Sequence, residues 1–199
     1  MENIMMLIKE KIQHVSAKNV AVKILLTAVA GLMTQVVASY LLTLILDGFF
    51  PETASQYASS VSVLLIITPY MLFRVCVLFP VIEELVFRLG ILGLLKRWMP
   101  FFAANTLQAL LFGIYHGNLV QGIYAFLLGL LIGYIYRIAG GVLYTIVFHM
   151  FINLAGMFIE EVIPAGTSVM TQTVLALLAL TAVSAMILVL RRMNINKEL

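Results

Sequence analysis

The stretch "PVIEELVFR", residues 80–88, sets two glutamates and an arginine in a chain of 199 residues that is 63% hydrophobic and only 11% charged. Soluble domains run at about half apolar and a quarter charged, so these charges stand in a chain suited to lipid. The natural unit of such a chain is the bilayer crossing of about 20 apolar residues. The reading is an all-α, polytopic membrane helical bundle of about six transmembrane crossings, with a broken helix at Pro80. Proline interrupts the hydrogen-bond ladder of a helix interior and suits a first turn. A helix is therefore expected to restart at Pro80, with Glu83 and Glu84 in its first turn, where the macrodipole favours carboxylates.

Working outward, the first crossing is expected at 20–46, followed by a loop at 47–60 that has acids and no Lys or Arg. An apolar stretch at 61–95, interrupted by Pro69 and Pro80, reads as the second crossing; the others are expected at 101–117, 120–137, 141–159 and 169–190. Lys96, Arg97, Arg137, Arg191 and Arg192 then fall on one side, which the positive-inside rule makes cytoplasmic, together with both termini. Residues 1–19 are expected to be an amphipathic cytoplasmic segment, whose Lys9, Lys11 and Lys18, with Lys23 just beyond, rest on the inner leaflet. They lack the pattern of a signal peptide. Residues 20–190 form one transmembrane domain and 191–199 a cytoplasmic tail. The net charge of +3 comes from cations at segment ends, a topology signal rather than a nucleic-acid-binding stripe. The single cysteine, Cys76, excludes an intrachain disulfide and reads as a small buried apolar residue.

Glu84 and Arg88 are four apart, acid before base, and share a helical face. Glu83 points about 100° away around the axis and has no cation on its own face. Ionisable groups inside a membrane cost several kcal/mol and mark functional sites by default. Of the three histidines, His14 lies in the polar amino-terminal region. His116 ends a span in "FGIYH", with Phe112 on its face, and His149 lies in "HMFIN", with Asn153 one turn on. Counted at about 1.5 Å per residue, Glu83, His116 and His149 all fall within or at the rim of the hydrocarbon region. Three helices bringing ionisable groups to one depth form a buried polar site.

Two chemistries suit those residue types. A carboxylate and a histidine can act as general base on water, while a second histidine and an asparagine amide donate to the oxyanion of a tetrahedral intermediate. Alternatively, Glu83, His116 and His149 could hold zinc with one position open. No nucleophile elbow is present. Buried Glu and His would also serve a proton-coupled transporter, a reading weakened by the lack of an inverted repeat.

"EELVFR", "FGIYH" and "HMFIN", in that order, resemble the EExxxR, FxxxH and HxxxN motifs of the CPBP family, over about 75–160. This family takes in type II CAAX prenyl endopeptidases, bacteriocin-processing and self-immunity proteins, and abortive-infection proteins. The resemblance implies an intramembrane endopeptidase acting on a membrane-associated peptide or protein. On that basis Glu83 and His116 activate water, His149 and Asn153 stabilise the oxyanion, and Glu84, Arg88 and Phe112 support the site. No metal is favoured. A peptide-binding immunity or scaffold protein is the alternative. The small, apolar, cationic chain looks bacterial, and a multi-pass cell-membrane location is expected. Elsewhere, Arg74 is expected to be a buried pairing partner, Arg137 a cytoplasmic anchor and Glu160/Glu161 an outer-rim cap. Tyr115 and Asn118 are candidates for lining a cavity, and Gly129 and Gly133 permit close helix contact.

Overall fold

The computed structural model describes residues 2–50, 52, 68–164 and 166–195. Most of the expected loop at 47–60 and the start of the second stretch, 61–67, lie outside the described residues. Helices are the only regular elements among those described. Helix α1 runs over Glu2–Phe49. Helix α2 is composite: α-helical turns over Pro69–Phe73, Phe79–Glu84 and Gly93–Leu95 alternate with π-helical turns over Arg74–Leu78 and Leu85–Leu92. Helices α3 (Phe101–Tyr115), α4 (Leu119–Ala139), α5 (Val142–Met157), the short α6 (Ile159–Val162) and α7 (Val169–Ile195) complete the bundle. Ala17–Leu46, Leu119–Ala139 and Val169–Asn194 are long and apolar enough to cross a membrane. Helices α3 and α5 are apolar but shorter.

The expected leaflet segment continues the ladder of the first span without a separate element. Lys23, grouped with the leaflet lysines, is buried: its Nζ donates to the Ala139 carbonyl at 2.8 Å and lies 5.4 Å from the Tyr144 ring centre. A cation there meets the carbonyl end of α4, the favourable polarity for a helix C-terminus. That helix closes on Gly140, whose φ of +86° is the left-handed cap for which glycine is preferred. Asn118, a candidate cavity residue, lines a cavity with Gly113, Gly117 and Gly122 and also caps the start of α4, its Oδ1 accepting from the N–H groups of Val120 (2.9 Å) and Gln121 (3.2 Å).

Pro80 does not break α2. Backbone angles stay helical through Leu78 and Phe79. The ladder changes register instead, the Phe79 N–H reaching back five residues to the Arg74 carbonyl. A wider turn before proline takes up the ring and the missing donor without interrupting the rod. Such π turns are rare and concentrate at functional sites.

Two apolar clusters hold the elements together. Ala30 of α1, Leu128, Ile132 and Ile135 of α4, Phe148 and Ile152 of α5, and Leu190 of α7 form the larger one. Phe87, Phe112 and Ala125 form the smaller, joining α2, α3 and α4. Backbones approach closely where glycine permits: a methyl at Gly31 would strike the Phe148 carbonyl, one residue before His149. Gly129 rests against Ala109 and Phe112, and Gly133 against Asn105, as expected for a small-residue stripe.

Candidate active site

The π turns of α2 set Glu83, Glu84 and Arg88 against α5 and α3. Glu84 and Arg88 are both fully buried, with Arg88 Nη1 3.0 Å from Glu84 Oε1. That is the pair expected from their spacing. The same Oε1 also accepts from His149 Nδ1–H at 2.8 Å, a link across 65 residues of sequence. Glu84 is thus shared between a guanidinium and an imidazole. A carboxylate on one ring nitrogen fixes the tautomer and aims the other. The other, Nε2, lies 3.6 Å from Glu83 Oε2. His149 therefore stands between the two glutamates.

Glu83 keeps about 13% of its side chain exposed, against none for Glu84. Its nearest histidine among the described ion pairs is His149, whereas the resemblance pairs it with His116 for water activation. His116 stands further off, within electrostatic reach of Glu83. It terminates α3, its Nδ1–H donating to the Phe112 carbonyl at 2.8 Å. That bond engages Nδ1, so Nε2 is the ring nitrogen left to take part in chemistry.

Phe112 touches both Arg88 and the two histidines of the site. Arg88 sits 4.6 Å from its ring centre. The rings of His116 (4.8 Å, 81°), His149 (6.0 Å, 84°) and Phe87 (4.9 Å, 70°) meet it edge to face. A guanidinium near an aromatic face is attracted by the ring quadrupole, so Phe112 fixes Arg88 while spacing the histidines.

Asn153 lies near the site, but its recorded hydrogen bond goes elsewhere: Nδ2–H donates to the Val75 carbonyl of α2 at 2.8 Å. His14 belongs to the part of α1 whose side chains lie outside the described set. Cys76 is buried, its Sγ 3.5 Å from Met157 Sδ. Arg74, expected to be a buried pairing partner, has aromatic neighbours. It is half-buried, with Tyr70 at 5.4 Å and Phe79 at 5.1 Å, and meets no carboxylate among the described residues.

The sequence reading missed the outer support of Arg88. Arg88 Nη2 lies 3.4 Å from the Gly129 carbonyl, which also accepts from Gln108 Nε2 at 3.0 Å. Gln108 Nε2 donates to Asn105 Oδ1 as well (2.9 Å), and Asn105 Nδ2 donates to the Leu130 carbonyl (2.9 Å). The signal was legible. Asn105, Gln108, Phe112 and His116 recur at helical spacing on one face of α3, and two amides inside an apolar span carry the same cost argument as the glutamates.

The alternative of a metal held by Glu83, His116 and His149 asks three donors to converge on one point. Glu83 and His149 approach each other, but no group of three such side chains among the described residues is arranged to hold an ion.

Residues 64–155, a little under half the chain, match the family model described as type II CAAX prenyl endopeptidase Rce1-like. The matched segment contains all three motifs. Among curated proteins and solved structures, none matches the chain.

Proposed function

We propose, for a chain that belongs through residues 64–155 to the CPBP family of membrane proteases, that it hydrolyses a peptide bond of a membrane-associated protein or peptide with water as the nucleophile. The observation that carries this reading is His149 held between two glutamates, Nδ1 at 2.8 Å from Glu84 and Nε2 at 3.6 Å from Glu83. Glu84, paired with Arg88, orients the ring. Glu83, the more accessible carboxylate, faces the remaining nitrogen.

In this mechanism water lies between Glu83 and the lone pair of His116 Nε2. Glu83 takes its proton as the oxygen attacks the scissile carbonyl carbon. A C–O bond forms and the carbonyl π electrons move to oxygen. The Nε2–H of protonated His149 donates to that oxyanion, an interaction worth about 3–4 kcal/mol where such a donor is preorganised. On collapse the C–N bond breaks and the amine leaves with the proton held by Glu83, so no proton is gained or lost overall. No metal enters these steps.

The bundle is proposed to cross the membrane six times, with the side bearing Lys96, Arg97 and Arg137 in the cytoplasm. The test is direct: purified protein in lipid nanodiscs is incubated with a library of membrane peptides, beside Glu83→Gln, and products are identified by mass. New termini with wild type and none with Glu83→Gln are expected. Equal cleavage by both would refute the mechanism, and tight binding without products would favour a peptide-binding immunity role.

A further inference from the structure

Pro80 creates a gap in the ladder of α2, and the position of that gap is defined. In an α turn the Val75 carbonyl would accept from the N–H of residue 79. In a π turn it would accept from that of residue 80. The Phe79 N–H is used by the Arg74 carbonyl, and residue 80 is proline, which has no N–H. Val75 is therefore left without a donor from its own helix. A carbonyl unpaired away from water is strongly unfavourable. The group that fills the gap comes from another helix, where Asn153 Nδ2–H of α5 reaches the Val75 oxygen at 2.8 Å.

We infer that Asn153 is a positioning residue whose amide stands in for the missing N–H of Pro80, fixing the register of α2 against α5. The bond lies eight residues before Glu83 on α2 and four after His149 on α5. It therefore ties together the two backbones that carry the Glu83–His149 approach. Asn153 acts here through the two residues it aligns. The second proton on its amide is the only one it could still offer to a reacting oxygen. The inference rests on the reading of Glu83 and His149 as the reacting pair, but concerns how they are held.

It makes an unusual demand: returning an N–H to residue 80 should compensate for loss of Asn153. Asn153→Ala, Pro80→Ala and the double variant are compared with wild type in three measurements. The first is kcat and KM on a peptide that the library identifies. The second is thermal unfolding in detergent. The third is residue-resolved labelling by a hydrophobic carbodiimide, which reacts with protonated carboxyls in apolar surroundings. A displacement of about 1 Å in a reacting group costs on the order of 100-fold in rate. Asn153→Ala is therefore expected to lose about that factor in kcat with KM unchanged. The double variant should recover at least about tenfold of it, through restored alignment. The ratio of Glu83 to Glu84 labelling should shift in Asn153→Ala and return in the double.

Equal kcat in Asn153→Ala and the double, with labelling unmoved by either, would overturn the inference and make Asn153 a direct donor to the reacting atoms. If no peptide is cleaved, the proposed reaction fails while labelling still decides the alignment. If Asn153→Ala does not fold, recovery of folding in the double supports the inference, and failure of the double to recover overturns it.

Discussion

Replacing Arg88 by methionine keeps the length and apolar stem of the side chain and removes its charge. Glu84, fully buried, then loses the guanidinium at 3.0 Å and keeps His149 and the Thr145 hydroxyl, neither of them a fixed cation like Arg88. Breaking one side of a buried pair costs about 3–5 kcal/mol, because the remaining charge stays desolvated. Loss of the attraction to the Phe112 ring, 4.6 Å away, adds to this, by up to about 2 kcal/mol for a desolvated cation. At roughly 2–4 °C per kcal/mol for a chain of this size, the pair alone predicts a fall in Tm of about 6–20 °C. Glu84→Gln placed on top of Arg88→Met removes the stranded charge, while the amide oxygen still accepts from His149 Nδ1. The double variant should therefore melt above the single. Glu83→Gln, by contrast, touches a partly exposed group whose imidazole neighbour stands beyond hydrogen-bond distance at 3.6 Å. It should cost under about 1 kcal/mol, within the net worth of one ordinary hydrogen bond. Thermal unfolding of the four proteins in one detergent gives the ordering. An Arg88→Met protein that melts with wild type, or a Glu83→Gln protein less stable than Arg88→Met, would refute the division into a structural and a reacting glutamate.

Gly31→Ala drives a methyl into the Phe148 carbonyl and the Phe151 Cβ; overpacking of this kind costs about 1–3 kcal/mol, so an unchanged Tm would mean that α1 and α5 are less tightly apposed. Gln108→Leu strips the Gly129 carbonyl of its shorter donor and leaves Asn105 Oδ1 unpaired. A loss of about 1–3 kcal/mol is expected for stranding such buried acceptors, read by the same unfolding assay. In a Cys76→Ser background, a cysteine at the exposed Glu161 should react with an impermeant maleimide in intact cells, and one at the exposed Arg97 only after lysis; the reverse pattern would invert the proposed orientation.

The helical bundle was legible because its signal is one of composition and length, and lipid imposes both directly. The intrahelical part of the site was legible for a similar reason: a spacing of four residues brings Glu84 to Arg88 whatever else the chain does. What spacing cannot carry is a contact between distant helices. The bond from His149 to Glu84 crosses 65 residues and depends on how α2 and α5 rotate against each other. Helical periodicity leaves that rotation open. Pro80 was misread for a different cause. A proline in an apolar run signals a missing hydrogen bond, and a broken helix is the commoner response. The π turn that accommodates it depends on a donor from α5, a tertiary fact. Lys23 shows the same limit. Its place near a run of lysines suggested the membrane surface, but the carbonyl end of α4 claims it.

Helices α3 and α5, which bring His116 and His149, contain 15 and 16 residues, or about 22 and 24 Å of axis. The hydrocarbon core is about 30 Å thick. The apolar part of α1, packed beside α5, extends for 30 residues, about 45 Å. Crossing the membrane as proposed, the protein would present lipid with one face too tall and another too short. A tall helix can tilt, whereas beside a short one the leaflets must dip or flanking polar groups must reach outward. In the six-crossing arrangement proposed above, the bilayer would be thinnest beside the helices that carry the histidines. Water and headgroups would then stand nearer to Glu83, and acyl-chain length in the host membrane would control hydration of the site through hydrophobic mismatch, without any ligand.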